Sequence, residues 1–173
     1  AQVVSMLEPQ QVEIARRAGA MRTLIETTVA AVRRLATELR PLMLDDLGLL
    51  ATMEWLTNDF SRRTGIAVDL HLPEAGFESG PELSTALFRV LQESLTNVSR
   101  HAQASEVHVS LSEEDGMIRL RVDDNGRGIE LTAEPRHKSF GLLGMRERSE
   151  MLGGYVKLNS SPGAGTSVLM VIP

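Results

Sequence analysis

The sequence predicts an α+β fold in two parts: a long helix of the pairing kind, then a two-layer α/β sandwich with helices on one face of a mixed, mostly antiparallel sheet. Three observations predict it. Ile14, Ala18, Met21, Ile25, Thr28, Val32, Leu35 and Leu39 recur at alternating spacings of four and three, which is the a/d seam of a heptad pattern. Leu83, Leu87, Val90, Leu91, Leu95 and Val98 trace a single apolar stripe along a helix. Val107/Val109/Leu111 and Ile118/Leu120/Val122 alternate with polar residues, the period of strands buried on one face. Striped helices and one-faced strands bury those surfaces by stacking in two layers.

The 173 residues suffice for one full domain and a smaller element, since domains run to ~100–150 residues. No uncharged apolar run approaches the ~18 residues needed to cross a bilayer. The opening AQVVSMLEPQQVE lacks the basic start and apolar centre of a signal peptide, and the absence of cysteine removes disulfides and thiolate metal sites. A cytoplasmic setting is therefore expected. The formal net charge of −5 argues against nucleic acid as a partner.

In chain order, Pro9 sits where a helix can begin and Pro41 where one must end or kink, so the heptad seam belongs to one helix over Gln10–Arg40. With Thr and Ala on its seam and no partner of equal length in this chain, it is expected to pair with another chain; the alternative is a single helix folded back on its own domain. A second helix follows in LMLDDLGLLATMEWLTNDFSRRTG, where Leu49, Met53, Leu56 and Phe60 share a face and Gly65 supplies the stop. The expected boundary falls there, between a helical region over 1–48 and a second domain over 49–173. Ile66–Leu72 alternates as a half-buried strand, and PEAGFESGPE is a loop before the helix Leu83–His101. SEEDG joins the next two strands as a hairpin. EPRHKS precedes a helix at Met145–Leu152, and SSPGAG joins closing strands at Tyr155–Asn159 and Thr166–Ile172.

The chemistry is concentrated at turns. At ~100° per residue, Glu93, Asn97 and Arg100 fall on one narrow arc beside the apolar stripe. This stacks a carboxylate, an amide oxygen and a guanidinium. Oxygen donors suit Mg²⁺, a hard cation that completes its shell with water and phosphates. Any solvated helix face shows such residues, so this arc alone decides nothing. In MIRLRVDDNGRGI the inward parity of Ile118, Leu120 and Val122 continues to Asp124, while Asp123 keeps the outward parity of Arg119 and Arg121. Gly126 and Gly128 then allow a tight turn and close approach of a flat ligand. SFGLLGMRERSEMLGG sets Gly141 and Gly144 at the entrance to a helix, where N–H groups and the helix dipole favour phosphate. PGAGT adds Gly163, Gly165 and Thr166 between the last strands.

The order Glu-x-x-x-Asn, Asp-x-Gly-x-Gly, Gly-Leu-x-Gly-Met, Gly-x-Gly-Thr resembles the N, G1, G2 and G3 boxes of the GHKL ATPase superfamily, whose Bergerat-type fold is shared by gyrase, Hsp90, MutL and histidine kinases. LRPLMLDDLGLLATMEWL, ESLTNVSRHAQASEV and GLLGMRERSEMLGG are similar to two-component sensor histidine kinases of the nitrate-sensor type, over nearly the whole chain. The resemblance implies ATP and Mg²⁺ as cofactors, with Asn97 as the metal ligand and Glu93 assisting it. Arg100 and His101 would face the phosphates and Asp124 would accept the adenine amino group. Gly126 and Gly128 would frame the base, Gly141, Leu142 and Gly144 the phosphates, and Thr166 would back the adenine end. Ser139 departs from the pattern, where such families often have a further glycine, which puts the lid hinge in doubt. A dinucleotide-binding reading fails on placement, since its glycines belong in one turn between the first strand and its helix.

The implied activity is that of an ATP:protein-histidine kinase, and its acceptor histidine belongs on the first helix of a dimerisation hairpin. None of His71, His101, His108 and His137 sits on such a helix. His71 and His108 have outward strand parity, for which a solvated histidine is the plainer reading. The family pattern puts the acceptor upstream of Ala1, with 1–48 a partial dimerisation and phosphotransfer region and 49–173 the ATP-binding domain. The expected partners are a second copy through the helical region and the receiver domain of a response regulator. Membrane attachment of the full-length protein through an upstream region stays open. Two alternatives compete: a clamp-type ATPase using Glu93 to activate water, and a nucleotide-binding regulator without kinase activity. The short lid Glu130–Phe140 and the helical preamble weigh against the clamp.

Overall fold

The computed structural model describes residues 17, 19, 21, 42–73, 77–129 and 140–173. Arg17, Gly19 and Met21 are helical. The rest of the Gln10–Arg40 helix with its seam, Pro41, and residues 130–139 of the expected lid, including His137 and Ser139, lie outside the described residues. The chain divides into two units, Ala1–Leu42 and Met43–Pro173, and the second carries the expected sandwich. No helix among the described residues is long and apolar enough to cross a membrane.

A short helix α1 (Leu42–Asp46) leads into α2 (Gly48–Thr64) through Leu47. The continuous helix expected here is interrupted because Gly48 takes φ +78°, outside the helical region. Leu49, Met53, Leu56 and Phe60 are all buried, as their spacing predicts. Gly65 ends α2 in the left-handed conformation, and its N–H donates to the Ser61 carbonyl at 2.9 Å. Strand β1 (Ala67–His71) follows, then α3 (Pro81–Asn97), which runs on without a break into a π turn at Val98–Ala102. Gly80 caps α3 and Pro81 opens it, where the missing N–H is harmless. Strands β2 (Glu106–Glu114) and β3 (Met117–Asp124) form the expected hairpin. Its turn residues Asp115 and Gly116 both have positive φ, 54° and 70°, the twist that matches flanking strands. Helix α4 (Phe140–Met151), β4 (Tyr155–Ser160) and β5 (Thr166–Ile172) complete the unit.

The sheet order is β1-β2-β3-β5-β4. β1 and β2 are parallel and every other pair is antiparallel, so the sheet is mixed and mostly antiparallel. The one parallel pair needs a crossover, and α3 lies in it. Inward-facing Val107, Val109, Leu111, Leu120, Val122, Val168 and Met170 bury against Leu87, Val90, Leu91 and Leu95 of α3 and Met145 of α4. The opposite sheet face carries His71, His108, Arg119, Arg121 and Asp123, in the outward parity read from the sequence.

Candidate nucleotide site

A cleft of about 260 Å³ opens between the C-terminal end of α3 and the ends of β3 and β5. Its walls include Ser94, Asn97, His101, Asp124, Gly128, Leu142 and Thr166, and its floor Val98, Val122, Leu158 and Val168. The expected residues Asn97, His101, Asp124, Gly128, Leu142 and Thr166 thus meet in one place. Five others do not line the cleft: Glu93, Arg100, Gly126, Gly141 and Gly144.

The wheel drawn at ~100° per residue breaks down after Asn97. The π turn Val98–Ala102 advances each residue by less than an α-helix does. His101 reaches the cleft and Arg100 stays exposed outside it. Gln103 closes the turn with φ 54°, redirecting the chain into β2. Single π turns recur at functional sites.

Asp124 ends β3 on its inward face, and its Oδ1 accepts the Gly126 N–H at 2.9 Å, which orients the carboxylate at the cleft rim. The following turn is clamped by backbone. The Arg127 N–H donates to the Ala102 carbonyl at 2.8 Å and the Gly163 N–H to the Arg127 carbonyl at 2.7 Å. A Cβ on Gly126 would strike the Ala102 backbone, so the close approach of this turn to the π turn requires glycine there. Gly128 has φ +64° and does line the cleft. Thr166 Oγ1 lies 3.0 Å from Ser160 Oγ, which also accepts the Ile129 N–H at 2.9 Å.

Helix α4 starts at Phe140, not at Met145. Gly141 and Gly144 therefore both lie within the helix and not ahead of it. A Cβ at Gly141 would meet the carboxylate of Glu93. That neighbour is the free end of a flexible side chain, and Gly→Ala inside a helix gains about 0.8–1 kcal/mol of propensity. Gly141→Ala is thus expected to leave the thermal midpoint unchanged or raised while displacing the Glu93 carboxylate. A lowered midpoint would mean that the carboxylate is fixed where it rests.

Several residues of the cleft escaped sequence reasoning. Val98, Ala102, Val122, Leu158, Val168 and the half-exposed Ile129 supply its apolar lining. In the sequence the first five are indistinguishable from core, and no spacing marks the cleft end of the core from its interior. Asn125 was also missed: its Oδ1 accepts the N–H groups of Ser105 and Glu106 at 3.0 and 3.1 Å, tying the start of β2 to the glycine turn.

A largely apolar cleft that carries a carboxylate and an amide beside a glycine turn, in a two-layer α/β fold, fits a nucleotide-binding protein of the two-layer ATPase class. The chain belongs to the histidine kinase-, DNA gyrase B- and HSP90-like ATPase family, whose profile matches residues 82–173. It is 39% identical over 153 residues to the signal transduction histidine-protein kinase/phosphatase DegS of Brevibacillus brevis, covering 88% of this chain and 39% of that one. It is 37% identical over 142 residues to the oxygen sensor histidine kinase NreB of Staphylococcus carnosus, covering 82% of this chain and 41% of that one. The chain therefore spans about two fifths of the length of these curated relatives. Among solved structures, the Erythrobacter litoralis blue-light activated histidine kinase superposes with a TM-score of 0.67 at 21% identity, over 87% of this chain and 49% of that one. This likeness supports the fold. Residues 82–173 accordingly form an ATPase domain of this family, in a chain similar over most of its length to part of two histidine kinases.

Proposed function

We propose that this chain holds Mg-ATP in the cleft and directs its γ-phosphoryl group to a histidine on a dimerisation helix outside Ala1–Pro173, for relay to an aspartate of a response-regulator receiver domain. The observation that carries this reading is the meeting of Asp124 from the sheet and Asn97 from the helix layer at one apolar slot. Asp124 would accept the adenine amino group while Val122, Val168 and Thr166 flank the ring. Asn97 lines the cleft with an oxygen-bearing amide that makes no side-chain hydrogen bond to a described residue, a donor fit for Mg²⁺. When bound, Mg²⁺ neutralises the charge of the phosphates. His101 and Leu142 would border the phosphates, Arg100 would reach them only from outside the cleft, and Glu93 would stand one helical turn behind Asn97. The organisation that goes with this function is a partial dimerisation region over 1–48 and an ATP-binding domain over 49–173. Two copies would pair through the helical region, in the cytoplasm.

Phosphoryl transfer needs the attacking nitrogen in line with the γ-phosphate at near-contact distance. With γ-labelled ATP and Mg²⁺, the chain alone is expected to accumulate no acid-labile, base-stable phosphate. A longer partner bearing the acceptor helix, with its own nucleotide site disabled, is expected to be labelled by it. Asn97→Ala should lower that labelling about tenfold or more, from a lost contact to charge worth about 1.5–3 kcal/mol. Label on His101 or His137 of the isolated chain would overturn the assignment of the acceptor. Vigorous ATP turnover without transfer would favour a clamp-type ATPase.

A further inference from the structure

The opposite face of the sheet carries a second cluster of donors. Strand β1 presents Asp69 and His71 two residues apart, and the parallel register sets Asp69 beside His108 of β2. Their neighbours Val68, Leu70, Val107 and Val109 pack with the core on the helix side, so all three polar residues point away from the nucleotide cleft. His71 Nε2 lies 3.1 Å from the Asp69 carboxylate and His108 Nδ1 lies 2.9 Å from its Oδ2. One donor atom from each of the three residues falls within 4.8 Å of the other two.

We propose that Asp69, His71 and His108 form a site for a transition-metal ion of the Zn²⁺ class. Two imidazoles and one carboxylate are a donor set that Zn²⁺ takes, with a water completing the tetrahedron. Bonds of ~2.0–2.2 Å in a tetrahedron put donor atoms roughly 3.3 Å apart. The two histidine–aspartate separations are already near that figure. The histidine pair, ring centroids 4.9 Å apart, closes by rotation of an exposed His71 ring and a part-exposed His108 ring. The backbone need not move, because the sheet fixes all three Cα positions. Hydrogen bonds from His108 and His71 hold the Asp69 carboxyl below its usual range.

A neighbour strengthens the assignment. Asp123 is the register partner of His108 on its other side and faces outward too. Its Oδ2 accepts from Arg121 Nε at 2.7 Å, whereas its Oδ1 is shielded from water and has no hydrogen-bond partner among the described residues. Metal-bound imidazoles commonly give their second N–H to such a carboxylate. The ion would clip β1, a five-residue parallel edge strand, to β2. It would raise stability without entering the nucleotide cleft.

The test is calorimetric titration of the untagged chain with ZnCl₂, repeated with Co²⁺ for its visible absorption. The expected result is one Zn²⁺ per chain, tetrahedral Co²⁺ bands and a raised thermal midpoint in Zn²⁺. His71→Gln and His108→Gln should each weaken binding by more than the about 10–100-fold loss typical of removing an orienting neighbour. Circular dichroism and ADP affinity should be unchanged in both, so a failure here is separable from a failure of the nucleotide reading. Absence of binding at millimolar ZnCl₂ would overturn the proposal. So would undiminished binding in the His71→Gln/His108→Gln double variant, which would send the metal to another histidine.

Discussion

Replacing Gly128 by alanine is expected to destabilise the second unit by about 2–6 kcal/mol, combining a non-glycine residue at positive φ with overpacking against backbone. Gly128 has φ +64°, and an added Cβ would fall on the carbonyl oxygen of Ser161 and 3.0 Å from that of Gly165. The Ser161 carbonyl cannot easily retreat, because it accepts the Ala164 N–H at 3.0 Å. The glycine turn on the other side is held by the bond from Gly163 N–H to the Arg127 carbonyl. Against a domain stability of about 5–15 kcal/mol, this is enough to unfold a large fraction of the chain and with it the cleft. Gly163→Ala is the control: φ is +79° there, but nothing lies within 4 Å of the added atom, so only the conformational cost of about 1 kcal/mol or a little more applies. Urea midpoints at constant m-value separate the two. Equal losses would show that the close approach at Gly128 is not what demands glycine.

Asp124→Asn is expected to weaken ATP and ADP binding by about one to two orders of magnitude, the loss of a buried hydrogen bond to charge worth about 1.5–3 kcal/mol. The substitution is nearly isosteric, and an asparagine oxygen can still accept the Gly126 N–H that Asp124 Oδ1 takes at 2.9 Å, so the turn should persist. What changes is the second oxygen, which becomes an NH₂ donor facing the adenine amino donor. Asp123→Asn tests specificity, since that carboxylate leaves the other face of the sheet and pairs with Arg121 at 2.7 Å. Calorimetry should show affinity unchanged for Asp123→Asn and lowered for Asp124→Asn. If both variants bind nucleotide like the parent, Asp124 is a turn residue and the adenine end of the site lies elsewhere.

How much of this could be read from residues alone follows from the range of the forces involved. The elements of the second unit are local events. Leu49, Met53, Leu56 and Phe60 at helical spacing, the alternation of Val107, Val109 and Leu111, and the Asp115–Gly116 turn each carry their signal within a few residues. The parity that sends Asp124 inward and Asp123 outward is equally local, since successive strand side chains must alternate. The motif order therefore indicated the ATP-binding fold and six of the cleft residues. Long-range packing settled the rest. The π turn that brings His101 into the cleft and leaves Arg100 outside comes with the close contact between Ala102 and the Gly126 turn. Gly141, expected from its motif beside the phosphates, also lies against the Glu93 carboxylate, a contact that no local pattern shows because it depends on how α3 and α4 pack. Asp69, His71 and His108 were each readable as outward-facing, yet nothing in a linear chain says that β1 pairs in parallel with β2. A side chain's direction follows from its own strand, whereas its neighbours across 39 residues of sequence depend on how the crossover helix packs back onto the sheet.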